Sequence, residues 1–376
     1  MTTPSEPAPL ASPRLLSLDA LRGFTMFWIV GADYMAAAFR DLDGGAVSAW
    51  LGDQMGHTEW AGLTFYDIIF PLFMFILGAA VPLSLDKIVA REGRAAALRR
   101  IVKRGLLLTA LGVLYYGGIS AGWDHIRWVG VLQRLGIGYV AASLVHLYMR
   151  PRGIVAIAVA VLVGYWALLT FVPVPGGVAG DFSRGHNWAN WIDAHYLPGK
   201  IWYGDYDPEG LLSTFPAIVS ALIGLFAGRW MQDASVAPER KLRGLIVAGV
   251  VLLALGYAWG LQCPIIKRIW TPSYTLVTGG WSLMLLATFY YLIDVRRFAR
   301  WSTPFVWIGS NALLIYLVSH LVDFRKVSSW FVGGEVGAAL DAVWRGSSGL
   351  ALAFVSVALC TALCGWLYQR KFFVRL

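Results

Sequence analysis

Long apolar runs alternate with short polar connections along almost the whole chain. Ten such runs can be drawn, at roughly 18–39, 63–85, 100–117, 130–149, 153–172, 210–230, 243–262, 272–293, 304–324 and 348–368. Each is close to the ~20 residues that an α-helix needs to cross a bilayer core. A helix satisfies its own backbone polar groups, so it can cross where no water is available. The pattern therefore predicts an all-α, polytopic integral membrane bundle of about ten transmembrane helices. It divides the chain into a tail at 1–16 and one transmembrane domain at 17–376.

The runs are not uniformly apolar. The stretch 57–78, HTEWAGLTFYDIIFPLFMFILG, begins polar and ends as a span. His57 and Glu59 precede the span, and Trp60 sits where an interfacial anchor belongs. Thr64 and Asp67 fall at its start, with Pro71, Gly78 and Pro82 further in. An acid inside a membrane helix costs about 2.5–3.5 kcal/mol on insertion scales, so it faces protein or water and marks function by default. A histidine at a helix mouth with a buried acid beside it is a candidate reaction centre at a membrane face.

Composition agrees with the pattern: 58% of residues are hydrophobic and the mean hydropathy is +0.61. The net charge of +9 does not point to nucleic acid, because the cations cluster in alternate loops. One set of loops holds Lys87, Arg91, Arg94, Arg99, Arg100, Lys103 and Arg104, then Arg150 and Arg152, then residues 229–243. It continues with Arg296, Arg297 and Arg300 and ends with Arg370, Lys371 and Arg375. The positive-inside rule puts this set and both termini in the cytoplasm. It puts His57, 123–127, the long 173–209 loop and 325–346 outside. Residues 1–13 lack the basic–apolar–small pattern of a secretory signal. Cys263, Cys360 and Cys364 are odd in number and lack metal-ligand spacing, so they read as packing residues and no metal is expected.

Other ionisable residues in or beside spans are further candidates. Asp19 and Arg22 share a helix face near the cytoplasmic end; they read as an ion pair or as a contact for an anionic ligand. Asp33 lies about 16 Å further along that helix at 1.5 Å per residue, at the depth expected for His57 and Asp67. Gln133 and Arg134 sit inside apolar sequence and need partners. Those partners are an acid such as Asp67 or a bound ligand. Asp207 and Glu209 precede the sixth run, where helix capping competes with substrate binding. Asn311 reads as a helix-packing amide or an oxyanion donor, and His320 as a second site histidine. No soluble-enzyme nucleotide or metalloprotease motif is present.

Several blocks together resemble one known group. SLDALRGF at 17–24, the H-x-x-W-x-G-x-T-x-x-D-x-x-F-P block from His57, and GVLQRLGIGY at 130–139 are three of them. DPEGLLST at 207–214 and PFVWIGSNALLIYLVSH at 304–320 complete the set. In order and over most of 14–325, they resemble the heparan-α-glucosaminide N-acetyltransferase family of the transmembrane acyltransferase superfamily. The resemblance implies transfer of an acetyl group from cytoplasmic acetyl-CoA to a glucosamine-like amino sugar across the membrane. It also implies that His57 is the catalytic histidine, with a bacterial inner membrane as the setting. The family commonly has asparagine where this chain has Asp33.

On this reading His57, Asp33 and Asp67 are catalytic. Trp60, Gln133, Arg134, Asp207, Glu209, Asn311 and His320 bind the acceptor, and Arg22, Arg99, Arg100 and Lys103 bind acetyl-CoA. Direct attack competes with an acetyl-histidine route. The partners are the amino sugar or glycan, acetyl-CoA and the lipid bilayer, without nucleic acid, and a homodimer is left open. The rival reading is a permease for a sugar or small anion, built on the same intramembrane charges.

Overall fold

The computed structural model describes residues 15–120 and 122–374. Among these residues the structure is helical, with two isolated bridges and no strand. The helices are α1 (Leu16–Asp41), α2 (Gly45–Gln54), α3 (Phe65–Tyr115), α4 (Val131–Tyr148), α5 (Pro151–Phe171), α6 (Trp188–Tyr196) and α7 (Thr214–Gln232). They continue with α8 (Pro238–Gly260), α9 (Pro272–Phe289), α10 (Thr303–Ser310), α11 (Ala312–Leu321), α12 (Phe324–Val332), α13 (Gly334–Val343) and α14 (Ser347–Gln369). The all-α membrane bundle expected from the apolar runs is what the chain forms.

The runs do not map one to one onto spanning helices. By length and apolarity six helices qualify: α3, α5, α7, α8, α9 with its π-helical extension to Val295, and α14. A seventh is the pair Arg300–Ser310 and Ala312–Leu321, bent by 70°. The runs 63–85 and 100–117 are the two arms of the 51-residue α3, which turns at Gly93. Gly93 has φ 82° and ψ 173°, a conformation open to glycine and strained for other residues. α1 and α4 are interrupted by Asp19, Arg22 and Asp33 and by Gln133 and Arg134, and do not qualify.

α3 is the central hairpin. It packs most extensively on α7 and α4, while α8 pairs with α9 and α1 with α10. The α3–α7 contact is backbone-close. A Cβ on Gly78 would sit 1.8 Å from the Ala221 carbonyl oxygen, and one on Gly224 would sit 1.9 Å from that of Phe75. Small residues let membrane helices approach in this way.

Polar contacts define the two ends of the bundle. At one end His146 Nε2 lies 2.7 Å from Asp86, Arg229 reaches His146, and Gln232 donates to Asp86. At the other end the loops around 55–64, 116–130, 197–213 and 261–271 converge. Antiparallel bridges tie Ala61 to Ile266 and Arg127 to Gly199.

Candidate active site

Asp67 owes its position to the start of α3. Thr64 is the N-cap: its hydroxyl accepts the Asp67 N–H at 3.3 Å, and Asp67 Oδ2 accepts the Thr64 N–H at 3.2 Å. This reciprocal capping box satisfies donors that a helix start leaves open. Oδ2 also accepts from the Thr58 N–H (3.3 Å) and hydroxyl (3.0 Å). The Tyr274 hydroxyl donates to the Asp67 carbonyl at 2.7 Å. The other carboxylate oxygen, Oδ1, lies 2.8 Å from His57 Nδ1.

The Asp67 side chain is fully buried, whereas 35% of the His57 side chain is exposed. An ionised carboxylate is acceptor-only, so the short contact favours the imidazole proton on Nδ1 and makes Nε2 the accepting nitrogen of the ring. The ring stacks on Tyr66, centroids 4.5 Å apart and planes at 11°. Burial, followed by the nearby Lys267 ammonium, holds the imidazole below its ordinary pKa, against the opposing pull of Asp67.

Lys267 enters from a loop more than two hundred residues away, and sequence reasoning passed over it. Its Nζ is 3.2 Å from Asp67 Oδ1, 2.9 Å from His57 Nδ1 and 3.3 Å from Nε2. The loop carrying it is tied internally. Ile266 N–H donates to Thr271 Oγ1 (3.0 Å), Trp270 N–H to the Lys267 carbonyl (3.0 Å), and Thr271 Oγ1–H to the Pro264 carbonyl (2.8 Å). The Tyr165 hydroxyl fixes the Ile269 carbonyl at 2.6 Å. The one available sequence signal was a lysine, Lys267, between Ile266 and Arg268 in the short connection between two apolar runs.

A second polar cluster packs at the same end. Arg127, taken from sequence as an ordinary loop residue, is 3% exposed. It bonds Asp207 with two nitrogens (Nε 3.0 Å, Nη2 2.7 Å) and Glu209 with Nη2 at 2.8 Å. Its guanidinium lies over the Tyr116 and Trp202 rings at 4.2 and 4.4 Å. Asp207 and Glu209 are therefore partners of Arg127 rather than caps of the sixth run. Burial and then Asp207 raise the Glu209 pKa. The turn into α7 is held by Asp193, which accepts from the Asp207 and Leu211 N–H groups, and burial pushes it up to about 6.

Arg134 does not pair with Asp67. Fully buried, it donates through Nη2 to Ser213 Oγ (2.5 Å) and the Gly210 carbonyl (3.2 Å). Gln133 donates to the Arg127 carbonyl at 3.2 Å. Gln133 and Arg134 line a cavity of about 280 Å³ with Glu209, Leu211 and Phe215.

The remaining sequence candidates disperse. Asp33 is exposed and lines a separate cavity of about 170 Å³ with Tyr34, Tyr115 and Ser356, apart from His57. His320 stacks on Tyr115 at 4.1 Å. Trp60 donates its indole N–H to the Phe182 carbonyl at 2.8 Å and meets Tyr206 edge-on. Asn311 sits at the break between α10 and α11, and both ends of its amide are engaged. Nδ2 donates to the Phe372 carbonyl (3.0 Å), and Oδ1 accepts the Val374 N–H (3.0 Å). It clamps the C-terminal segment against the break between the two helices.

A cavity of about 660 Å³, larger than the two above, runs between α1, the two arms of α3, α4 and the bent pair. Asp19, Arg22, Ser84, Arg100 and Arg104 line it on the Asp86–His146 side, and Val131, Leu132 and Tyr316 at the other extreme. Phe73 on its wall is six residues from Asp67, about 9 Å of helix rise. Arg22 bonds Asp19 at 3.1 Å and Arg100 lines the wall, as the sequence reading placed them. Arg99 and Lys103 are exposed and do not line it. Arg104 takes their place. Its guanidinium covers the Tyr139 ring at 4.4 Å, and its buried Nε has no hydrogen-bond partner.

Comparison with known proteins agrees with the motif resemblance. A family model described as a domain of unknown function (DUF5009) matches residues 14–127. The chain is 30% identical over 369 residues to heparan-alpha-glucosaminide N-acetyltransferase of Homo sapiens, covering 82% of this chain and 53% of that protein. It is 27% identical over 419 residues to the Mus musculus protein of the same name, covering 96% of this chain and 60% of that one. The chain thus spans little more than half the length of these relatives. Within that span, the family resemblance read from the motifs holds over most of the chain.

Proposed function

We propose that this chain is a transmembrane acetyltransferase. It would move an acetyl group from acetyl-CoA, bound from the cytoplasmic side, to the amine of a glucosamine-like sugar on the periplasmic side. The observation that carries this reading is the half-exposed His57–Asp67 pair, placed close to the end of a cavity whose far mouth carries Arg22, Arg100 and Arg104. Acetyl-CoA is anionic at its nucleotide and apolar along much of its arm. Cations at one mouth and the apolar wall of Phe73, Leu77, Leu108 and Leu132 suit both halves. The similarity to proteins named for N-acetyl transfer supports the same reading.

In the reaction, the acceptor nitrogen attacks the thioester carbonyl while His57 Nε2 takes its proton. Asp67 holds Nδ1–H and stabilises the imidazolium that forms, the part an orienting acid plays beside a histidine base. The C–S bond then breaks, and the thiolate leaves by taking the proton back from Nε2. General-base catalysis of this kind contributes roughly 10²–10⁴-fold. Depression of the His57 pKa keeps the active, neutral form present to lower pH.

The test is transfer of labelled acetyl from acetyl-CoA to glucosamine by purified protein in detergent. Labelled N-acetylglucosamine is expected from the wild type, with loss on the order of 10³-fold in His57→Gln. Wild type that binds no acetyl-CoA would overturn the enzyme reading in favour of the permease. Binding of acetyl-CoA without acetylation of glucosamine would overturn only the acceptor.

A further inference from the structure

The His57–Asp67 pair is a trio. Lys267 Nζ touches both partners, and its loop is locked onto the histidine's own loop. The Ala61–Ile266 bridge and the Gly62 N–H to Ile265 carbonyl bond (2.9 Å) set the two strands of chain side by side. Lys267 is the next residue. Its side chain is 13% exposed, and Nζ lies over the Tyr66 ring at 5.8 Å, on the residue that stacks against His57.

Asp67 Oδ1 is shared between the imidazole and the ammonium. One carboxylate thus faces two groups that both carry charge when protonated. With Asp67 already paired to an ammonium, a second proton on the imidazole would place two cations about 3 Å apart around one anion. Without Lys267 the same carboxylate would serve the imidazolium alone and would favour it. The lysine therefore decides which way the pair leans.

We propose that Lys267 is a positioning residue of this centre: its ammonium, held on Asp67, keeps His57 uncharged at neutral pH, so that Nε2 is available to accept a proton. This rests on His57 being the base of the proposed reaction. It extends that reading by identifying what keeps a carboxylate-paired histidine from resting in its protonated, inactive form. The other charged or titratable groups facing the centre do not replace Lys267. Tyr66 and Asp67 come from α3, and Arg268 from the lysine's own loop. Arg268 acts on His57 more weakly than Lys267, and its guanidinium is engaged by the Tyr203 hydroxyl at 2.6 Å. Glu209 acts on Lys267 from the 197–213 loop and favours its charged state, and Asp33 acts on Tyr66. Burial weakens the ammonium, and Asp67 is the main group that sustains it.

The test reads the charge of His57 directly and needs no acetyl transfer. Diethyl pyrocarbonate carbethoxylates neutral imidazole, and His57 is exposed enough to react. Full-length protein in detergent is treated across pH 5–8, and modification of the His57 peptide is followed by mass spectrometry. The half-maximal rate should move up by about one pH unit in Lys267→Met, which is a tenfold drop in the neutral-to-charged ratio at a given pH. Lys267→Arg, which keeps the charge, should titrate with the wild type. A structural role alone would lower yield without moving this midpoint. Superimposable profiles for wild type and Lys267→Met would overturn the proposal. If the methionine variant does not fold, the wild type still decides. His57 must titrate below the ordinary imidazole value of about 6.5, and a midpoint at or above it sinks the idea. Failure of the glucosamine assay would leave this result standing, so the two readings fail separately.

Discussion

Two charged clusters share one end of this bundle, and they differ in what they leave unused. Arg127 commits two nitrogens to Asp207 and one of them also to Glu209, and its guanidinium is covered on aromatic rings. It is nearly sealed from solvent, with side-chain exposures of 3%, 0% and 11% for the three residues. The His57 cluster also contains a sealed carboxylate, but its histidine stays partly open, and Nε2 meets the Lys267 ammonium across a long 3.3 Å contact. A saturated network stabilises a loop arrangement. A network with a half-exposed histidine can exchange a proton with something that arrives. Burying a charge explains neither by itself; the count of spent and unspent lone pairs separates them.

The largest effect expected from this contrast is on Asp67. In Asp67→Asn the amide can still meet Thr58 and Thr64, so the fold is retained. The side chain facing Nδ1 is then no longer an anion, and the imidazole is free to take the other tautomer with Nε2 protonated. Loss of acetyl transfer of about 10⁴-fold is expected by analogy with the same replacement beside other histidine bases. Single-turnover rates with saturating acetyl-CoA would measure it. A loss below tenfold would mean that Asp67 serves the helix cap alone and that the two clusters are alike.

Arg127→Leu tests the other member. Removing one partner from a buried ion pair leaves carboxylates without compensation and typically costs about 3–5 kcal/mol. The expected outcome is a large fall in the thermal midpoint of detergent-solubilised protein. Restoring stability by also replacing Asp207 and Glu209 with apolar residues would show that the loss came from stranded charge. A midpoint unchanged by Arg127→Leu would remove the contrast from the other side.

The apolar runs made the helices legible, and His57, Thr64 and Asp67 at the head of one run marked the candidate site, because both signals are local. The ten runs are all helical, yet 63–85 and 100–117 fuse into one hairpin through Gly93, which a pattern of apolar positions does not register. What was missed is non-local. Lys267 reaches His57 because Ala61 pairs with Ile266, and no periodicity encodes a bridge between loops two hundred residues apart. Arg127 was passed over for Arg134 because it lies outside an apolar run, although it is Arg127 that holds the acids. Asn311 was read as a helix-packing amide or an oxyanion donor; the backbone of 372–374 meets it. In each case the residue type was informative and its partner was not.

Asp33 gives the smallest expected effect and the finest test of the comparison. It belongs to neither cluster: it is exposed and lines its own cavity beside Tyr115 and Ser356. An exposed charge acting across intervening groups is screened by water and salt. Asp33→Asn, which also places the residue common in the resembling family at this position, should change kcat by no more than about threefold, or ~0.7 kcal/mol in the barrier. The small change should shrink further as ionic strength rises. A hundredfold loss would instead require Asp33 to contact a reacting group once substrates are bound. The 170 Å³ cavity it lines would then have to be part of the acceptor site, and the open valence of this protein would extend beyond His57.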